Sequence, residues 1–455
     1  MEFHNFASLG EPERAVAGYL DENVRRASVI NRHRDFIGAM SPFLEIGANA
    51  GHTSYMLANQ FGGEGFALDI SADALRHGIA LMDRCGFKRA PIRIAGDAVN
   101  LPFRDNSIRF VMACQMLSQF MNIESVFLEV KRVLAPGGVF LFTEEPLRRR
   151  LSLHAYRAPY QERMKPWERK LFDWGLLGYI ARDVIGAEQE ESFGIRQNHR
   201  MYLGDWRRLI SRHFADHRYK VFPPQRGWGE RMVKAVVFTD WNTAHLLGGT
   251  LAALCKKEGA PGPVRRIERF EDFVRCPDCR GDLARDAAGA LACACGFLAP
   301  DEGGVYNLLP STLRAELYPG DRADVIDFSR PSHAAHLREG WYDLEGDFGN
   351  KYRWIGTRAT AVLGRVHPGP QRLRVRGYAQ DAQFAAGQPV VELRANGTQI
   401  ARHTLERIGL FILEADLPDA DAYEIEIACS PTFTCPGDSR TMSVNLSMIR
   451  LIDPE

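Results

Sequence analysis

Residues 43–51 read Phe-Leu-Glu-Ile-Gly-Ala-Asn-Ala-Gly, and no other stretch constrains the fold of this chain as strongly. An apolar strand carries a carboxylate, Glu45, then turns through Gly47, Asn49 and Gly51 into a helix starting near His52. Glycine lets a backbone approach a ligand closely and take dihedrals that a side chain forbids. A second strand-like run, Gly65-Phe-Ala-Leu-Asp69, also ends in an acid. An acid about twenty residues past a glycine-rich strand-to-helix turn is placed to accept hydrogen bonds from ribose hydroxyls. The pattern predicts a nucleotide-type binding half in an α/β fold, a doubly wound, mostly parallel sheet.

Further motifs follow in order. Gly96-Asp97-Ala98 precedes Leu101-Pro102-Phe103, and an apolar run reaches Ala113. Phe127-Leu-Glu-Val-Lys-Arg-Val-Leu-Ala-Pro-Gly-Gly138 then leads into Val139-Phe-Leu-Phe-Thr143. Over residues 40–145 this order resembles class I S-adenosylmethionine-dependent methyltransferases, especially the small-molecule branch. The resemblance implies S-adenosylmethionine as cofactor, held by Glu45 and the turn, with Gly47 to Gly51 under its amino-acid portion. It places Asp69 on the ribose, Asp97 and Ala98 beside the adenine, and Gln115 near the methyl-bearing sulfonium. Asn49 departs from the family, which has glycine there. Asn takes left-handed dihedrals more readily than most residues. A retired fold without cofactor is the competing reading. A dehydrogenase fits less well, because the turn lacks G-x-G-x-x-G spacing.

The chain has 455 residues, which suits several domains rather than one core. Lys plus Arg and Asp plus Glu number 57 each, so net charge gives no case for nucleic acid or an anionic membrane as partner. Its start lacks the basic flank and apolar centre of a signal peptide, and no apolar stretch reaches membrane-spanning length. A cytoplasmic protein is expected. Residues 1–258 read as the first domain, with a Trp-, Tyr-, Arg- and Glu-rich lid over about 147–202. Arg218–Phe222 and Val233–Phe238 read as closing strands, and Trp241–Lys257 as a helix. Gly259, Pro261, Gly262 and Pro263 mark a linker over 259–268.

Past the linker the chemistry changes. Cys276-Pro-Asp-Cys279 and Cys293-Ala-Cys295 can offer four thiolates to a tetrahedral ion, which suits structural zinc. With the tail Asp301-Glu-Gly-Gly-Val-Tyr-Asn-Leu-Leu-Pro310, residues 269–312 resemble the zinc ribbon of small methyltransferase-activator proteins. An eroded ribbon with free thiols is the alternative. The other cysteines, 85, 114, 255, 429 and 435, read as small core or surface residues. Residues 330–455 show short alternating strands and an Asn396-Gly397 hairpin signal, as in a β-sandwich. Gly340-Trp-Tyr-Asp-Leu-Glu345 and Tyr352-Arg-Trp-Ile-Gly356 resemble jelly-roll-like modules of bacterial glycan-biosynthesis enzymes. Trp341, Tyr342, Tyr352 and Trp354 are candidates for a sugar-stacking platform, with core packing as the alternative.

Methyl transfer needs an aligned nucleophile and, for a hydroxyl, a proton acceptor. Catalytic candidates are His199, His154 and Glu145, with Gln119 and Glu144 also at the ends of the central strands. Tyr156 and Arg196 are candidate acceptor contacts. Cys114-Gln-Met-Leu117 stands where amino-group methyltransferases carry D/N-P-P-Y. The expected activity is O-methylation of a sugar hydroxyl, with a sugar-containing small molecule or glycan as acceptor. Methylation of RNA or protein through the ribbon, and a non-catalytic glycan- or protein-binding scaffold, are the competing readings. The sequence leaves the acceptor's identity and the oligomeric state open.

Overall fold

The computed structural model describes residues 12–120, 122–148, 150, 165–173, 201–222, 239–287, 289–318, 320–346, 351–406, 408–435 and 437–453. The chain forms two compact units, residues 1–311 and 312–455.

The first unit is built on seven strands: β1 (Phe43–Ile46), β2 (Gly65–Asp69), β3 (Ile92–Ala95), β4 (Ile108–Cys114), β5 (Leu134–Leu147), β6 (Asp216–Phe222) and β7 (Gly249–Lys256). Their order is β3-β2-β1-β4-β5-β7-β6. The first five are parallel, and β7 runs antiparallel to both β5 and β6. Successive strand residues point to opposite faces, and here both faces are apolar. Leu44, Val111, Ala113, Phe140 and Phe142 face one core. Phe43, Phe110, Met112, Val139 and Leu141 face the other.

Each face is covered by helices with a matching stripe. In α5 (Ile123–Val133) the buried residues are Ile123, Val126, Phe127, Val130 and Val133, a helical spacing. It packs on the first face with α7 (Leu203–His213), through Trp206 and Ile210. The second face is covered by α1 (Pro12–Arg32), α2 (Arg34–Ile37) and α3 (His52–Gln60), through Ala27, Ile30, Phe36, Met56 and Leu57. Helix α4 (Ala72–Arg84) follows β2, and its Met82 packs with Tyr19, Ala50 and Tyr55. The expected doubly wound sheet is therefore present.

One expected element is wrong. The predicted helix over Trp241–Lys257 is a short helix, α8 (Asp240–Leu247), followed by β7. Gly248 and Gly249 both take positive φ and stop the helix. The run after them is apolar on both faces because β7 lies between β5 and β6, and a short buried apolar run does not reveal its periodicity. The strand expected at Val233–Phe238 lies outside the described residues. Of the lid, the structure describes α6 (Pro166–Asp173) and a few flanking residues.

Residues 269–310 add to this unit. They contain three two-residue strands, β8 (Ala284–Arg285), β9 (Leu291–Ala292) and β10 (Leu298–Ala299), in one small antiparallel sheet. The next strand, β11 (Val305–Asn307), pairs in parallel with β3 and becomes the eighth strand of the main sheet. Phe270, Phe273, Cys276, Leu283, Leu291 and Phe297 share the core of Leu44, Phe66, Ile94 and Phe103.

The second unit holds two antiparallel sheets. One contains β13 (Trp341–Glu345), β14 (Tyr352–Ile355), β16 (Arg372–Ala379), β19 (Gly409–Asp416) and β21 (Asn445–Ile452), with β12 (Val325–Asp327) also paired to β21. The other orders β15 (Arg358–Gly364), β20 (Ala422–Ser430), β17 (Val390–Ala395) and β18 (Thr398–Thr404). Alternate residues are buried along β16 and β20. Leu373, Val375, Ile449 and Leu451 from one sheet form a single core with Leu363, Val391, Ile425 and Ile427 from the other. The four aromatics do not make one open platform. Trp354 is 3% exposed and packs edge-on to Phe433 and Tyr352. Trp341 packs on Phe328 and donates its indole N–H to the Thr360 carbonyl.

Candidate cofactor and metal sites

The turn after β1 is shaped by left-handed residues. Gly47, Asn49 and Gly51 have φ of 69°, 50° and 80°. At Gly47 an added Cβ would lie 2.6 Å from Cγ of Met116, so the Met116 side chain would have to move, on top of the strain of the positive φ. Asn49 adopts the conformation its type tolerates, and its N–H donates to Oδ2 of Asp69 at 2.8 Å. Oδ1 of Asp69 accepts the Ser71 N–H, also at 2.8 Å. Burial pushes the Asp69 carboxyl up, while these amides pull it back. A carboxylate has about four lone-pair sites, so each oxygen keeps room for a ribose hydroxyl. The residues present therefore fit the adenosine end of S-adenosylmethionine.

Glu45 serves the same turn from beneath. It is 2% exposed, and its Oε2 accepts both the N–H and the hydroxyl of Ser54 in the first turn of α3. Helix starts leave such amides without intrahelical acceptors. Its observed partners make Glu45 a support for α3. Desolvation raises its pKa, opposed by His52, Ser54 and Arg26.

The loop over residues 96–105 is held by α5. Leu101 N–H donates to Oε2 of Glu129 at 2.8 Å. Arg132 bonds the carbonyls of Leu101 and Phe103 and pairs with Glu129 at 2.7 Å. The sequence motif around Glu129 and Arg132 thus works as a clamp on residues 101–105. Asp97 is half-buried, its Oδ1 accepts the Val99 N–H, and Ala98 is buried beside it. Burial and the nearby Glu129 raise the Asp97 carboxyl.

The carboxyl ends of β4 and β5 carry two strained residues. Gln115 and Glu144 have φ of 52° and 64°. Non-glycine residues in this region cost energy and gather at functional sites. Gln115 is exposed, and its N–H donates to the Thr143 carbonyl. Glu145, beside Glu144, is fully buried, and its oxygens accept the N–H groups of Met116, Leu117 and Ser118, each at 2.9 Å. Burial pushes its carboxyl up to about 7. That geometry holds the loop after β4 in place. His154, His199, Tyr156 and Arg196 lie outside the described residues.

Sequence reasoning missed a charged cluster beside the turn. Arg26 of α1 is 4% exposed and pairs with Glu144 at 2.9 Å and Glu22 at 3.0 Å. It also lies 2.7 Å from both Nε2 of His52 and Oγ1 of Thr53. Tyr19 stacks on the His52 ring at 4.2 Å. No local pattern announces this cluster, because its members come from three elements, with Arg26 and Glu144 118 residues apart. Gly78 was also missed: a Cβ there would run into the Ala50 carbonyl, so α4 can lie against the turn only with glycine at that position.

The four cysteines of the ribbon converge. Their sulfurs lie within 4.8 Å of one another, with Cys276–Cys295 at 3.6 Å and Cys279–Cys293 at 3.4 Å. Zn–S bonds of about 2.3 Å in a tetrahedron require sulfurs about 3.8 Å apart, so the set fits zinc. All four are free thiols. The Gly281 N–H on its sulfur and the neighbouring thiols pull Cys279 down to about 7. The knuckle is tied to the loop over residues 96–105. Asn100 Nδ2 donates to the Pro277 carbonyl at 2.8 Å, Arg104 N–H to Phe273, and Arg275 N–H to Pro102.

Residues 44–142 match the family model for a methyltransferase domain. The chain is 25% identical over 165 residues to norajmaline N-methyltransferase of Rauvolfia serpentina, covering 36% of this chain and 53% of that protein. It is 30% identical over 136 residues to a fatty-acid O-methyltransferase of Mycolicibacterium smegmatis, covering 29% and 42%. The chain thus spans about half or less of the length of these curated relatives. An arsenic(III) S-adenosylmethionine methyltransferase structure from Chlamydomonas reinhardtii aligns with a TM-score of 0.31 and 20% identity, over 49% of this chain and 65% of that one.

Proposed function

We propose that this chain is an S-adenosylmethionine-dependent methyltransferase that O-methylates a sugar hydroxyl in cell-surface glycan or polysaccharide biosynthesis. The observation that carries the cofactor reading is the turn itself, with three consecutive odd positions left-handed and the middle one locked onto Asp69. The bound cofactor supplies an activated methyl group on a sulfonium. The protein's task is alignment: Asp69 holds the ribose, the 96–105 loop borders the adenine, and Glu145 fixes Met116 to Ser118 beneath the reacting centre. Alignment alone can lower such a barrier by roughly 7–11 kcal/mol. His199 is the first candidate for receiving the hydroxyl proton, followed by His154, and zinc at the four cysteines is structural.

The glycan acceptor is supported by the appended β-sandwich and by a lid segment rich in Tyr, Trp, Arg and His. Among the described residues no helix is long and apolar enough to cross a membrane. The test is transfer of labelled methyl from S-adenosylmethionine to lipid-linked glycan precursors, nucleotide-sugars, RNA and protein in parallel. Label recovered as a sugar methyl ether is expected. Label in RNA or protein alone would replace the acceptor reading, and no transfer combined with no cofactor binding would leave a scaffold.

A further inference from the structure

Charge of one sign gathers where β6 ends the main sheet. Side chains alternate along a strand, and β6 sorts its own by chemistry. On one side His217 stacks on Tyr219, which reaches Trp241 of α8. Arg218 and Lys220 take the other side, where Arg218 lies over the Phe36 ring of α2 at 4.5 Å. A cavity of about 220 Å³ opens there, between β6, β7 and the last turn of α1. Its floor is Val29 and Leu254, and its wall carries Arg32, His33, Arg218 and Lys220. None of the lining residues is acidic. Beside it Lys256 sits over the same Phe36 ring at 4.1 Å, so two cations share one ring. Two carboxylates stand nearby: Asp35, 3.1 Å from Arg218, and Asp216, opposite Lys256 in the β6–β7 register. The cations outnumber them, and among the described residues Arg32 and Lys220 make no ion pair. Desolvation lowers the pKa of His33, and the charges of Arg218, Arg32 and Lys220 lower it further against the opposing Asp35. Like charges held this close repel one another, and an anion seated among them relieves the cost.

We propose that this cavity binds a soluble phosphate-bearing ligand: Arg32, Arg218 and Lys220 hold the phosphoryl oxygens, and Val29 and Leu254 receive the adjoining apolar part of the ligand. A guanidinium fork matches phosphate oxygens in pairs, and a lysine meets them as a point charge. Arg218 and Lys220 are two residues apart on one strand, about 7 Å, so one phosphoryl group fits between their heads. A single carboxylate would leave most of the positive charge uncompensated, whereas a phosphoryl group carries up to about two negative charges. A walled cavity with an apolar floor suits a soluble ligand, since bilayer headgroups meet a protein on its outward surface. None of these residues belongs to the turn after β1 or to the loops at the ends of β4 and β5, so the site is independent of the methyl-transfer reading.

Calorimetric titration of the full chain with inorganic phosphate and with pyrophosphate tests it. One site per chain is expected, with pyrophosphate the tighter of the two. Arg32→Gln and Lys220→Gln should each weaken pyrophosphate about tenfold, the loss expected for one hydrogen bond to a charged group. Both side chains are exposed, so an unchanged unfolding temperature should accompany the loss. Arg208→Gln removes an exposed cation on α7 and should leave pyrophosphate affinity within about twofold, as a surface charge remote from the ligand does. Vesicles of phosphatidylglycerol and phosphatidylcholine should not retain the chain. Retention on those vesicles without pyrophosphate binding would assign the cluster to a lipid headgroup and overturn the proposal. So would the absence of phosphate and pyrophosphate binding, or equal losses in Arg208→Gln and the cavity variants, the cluster then being a solvated sheet edge.

Discussion

Replacing Glu145 by Gln should remove a defined pH dependence from the stability of the first unit. The side chain has no exposed surface, and its oxygens meet three backbone N–H groups at 2.9 Å. Burial outweighs those donors and moves the carboxyl from the ordinary 4.5 to about 7. Between these values the folded chain binds more protons at this site than the unfolded chain. Stability therefore falls as pH rises through the window. Below about 4.5 both states are protonated and no penalty exists, whereas above about 7 both are ionised and the full penalty stands. At about 1.36 kcal/mol per pH unit the window amounts to about 3 kcal/mol. Glutamine cannot titrate. Its NH₂ faces an amide donor, a pH-independent cost of about 1–3 kcal/mol. The measurement is unfolding free energy of wild type and Glu145→Gln from pH 4 to 8, read by hydrogen exchange in the core strands of the first unit. The wild-type value minus the variant value should fall by about 3 kcal/mol between pH 4.5 and 7.5. A difference flat to within about 1 kcal/mol would show that Glu145 is ionised throughout and would refute the reasoning.

Elemental analysis should find one zinc per chain. Chelation should lower the unfolding temperature of the whole first unit, because Phe273 and Cys276 lie in the core of Leu44 and Phe66; loss confined to residues 270–310 would contradict this. Gly78→Ala should weaken binding of S-adenosylhomocysteine, since the new methyl group would displace the Ala50 carbonyl in the turn after β1; unchanged titration would show that α4 can shift freely. Ile427→Ala, at a fully buried position in the sandwich core, should cost the second unit about 2–5 kcal/mol by urea unfolding. His199→Ala should slow turnover about 10²–10⁴-fold with cofactor affinity nearly intact, and a loss below threefold would remove His199 as the proton acceptor.

The turn and the alternating strands were legible because their signals are local. Gly47, Asn49, Gly51 and Asp69 sit where backbone geometry requires them, and β16 and β20 alternate over a single core. The swap of helix for strand at β7 arose because a short run buried on both faces carries no periodicity. The pairing of β11 with β3 was invisible, since three residues, Val305 to Asn307, carry no signal of a partner over two hundred residues earlier. Edges recruit strands through backbone groups that every sequence has. Glu145 stood among the base candidates because its type and strand-end position fit. Only the three amides around it show what it holds. Arg26 escaped notice for a similar reason, its partners His52, Thr53 and Glu144 being far from it in sequence and brought together only by the packing of α1 against α3 and the end of β5.

Titration of the full chain with S-adenosylhomocysteine, alongside Asp69→Ala, tests the central claim most directly. The account predicts one site per wild-type chain. It predicts a loss of at least tenfold in the variant, because hydrogen bonds to a charged group are worth about 1.5–3 kcal/mol each and about 1.4 kcal/mol is a factor of ten. A wild-type chain that binds no S-adenosylhomocysteine, or a variant that binds it as tightly as the wild type, would contradict it.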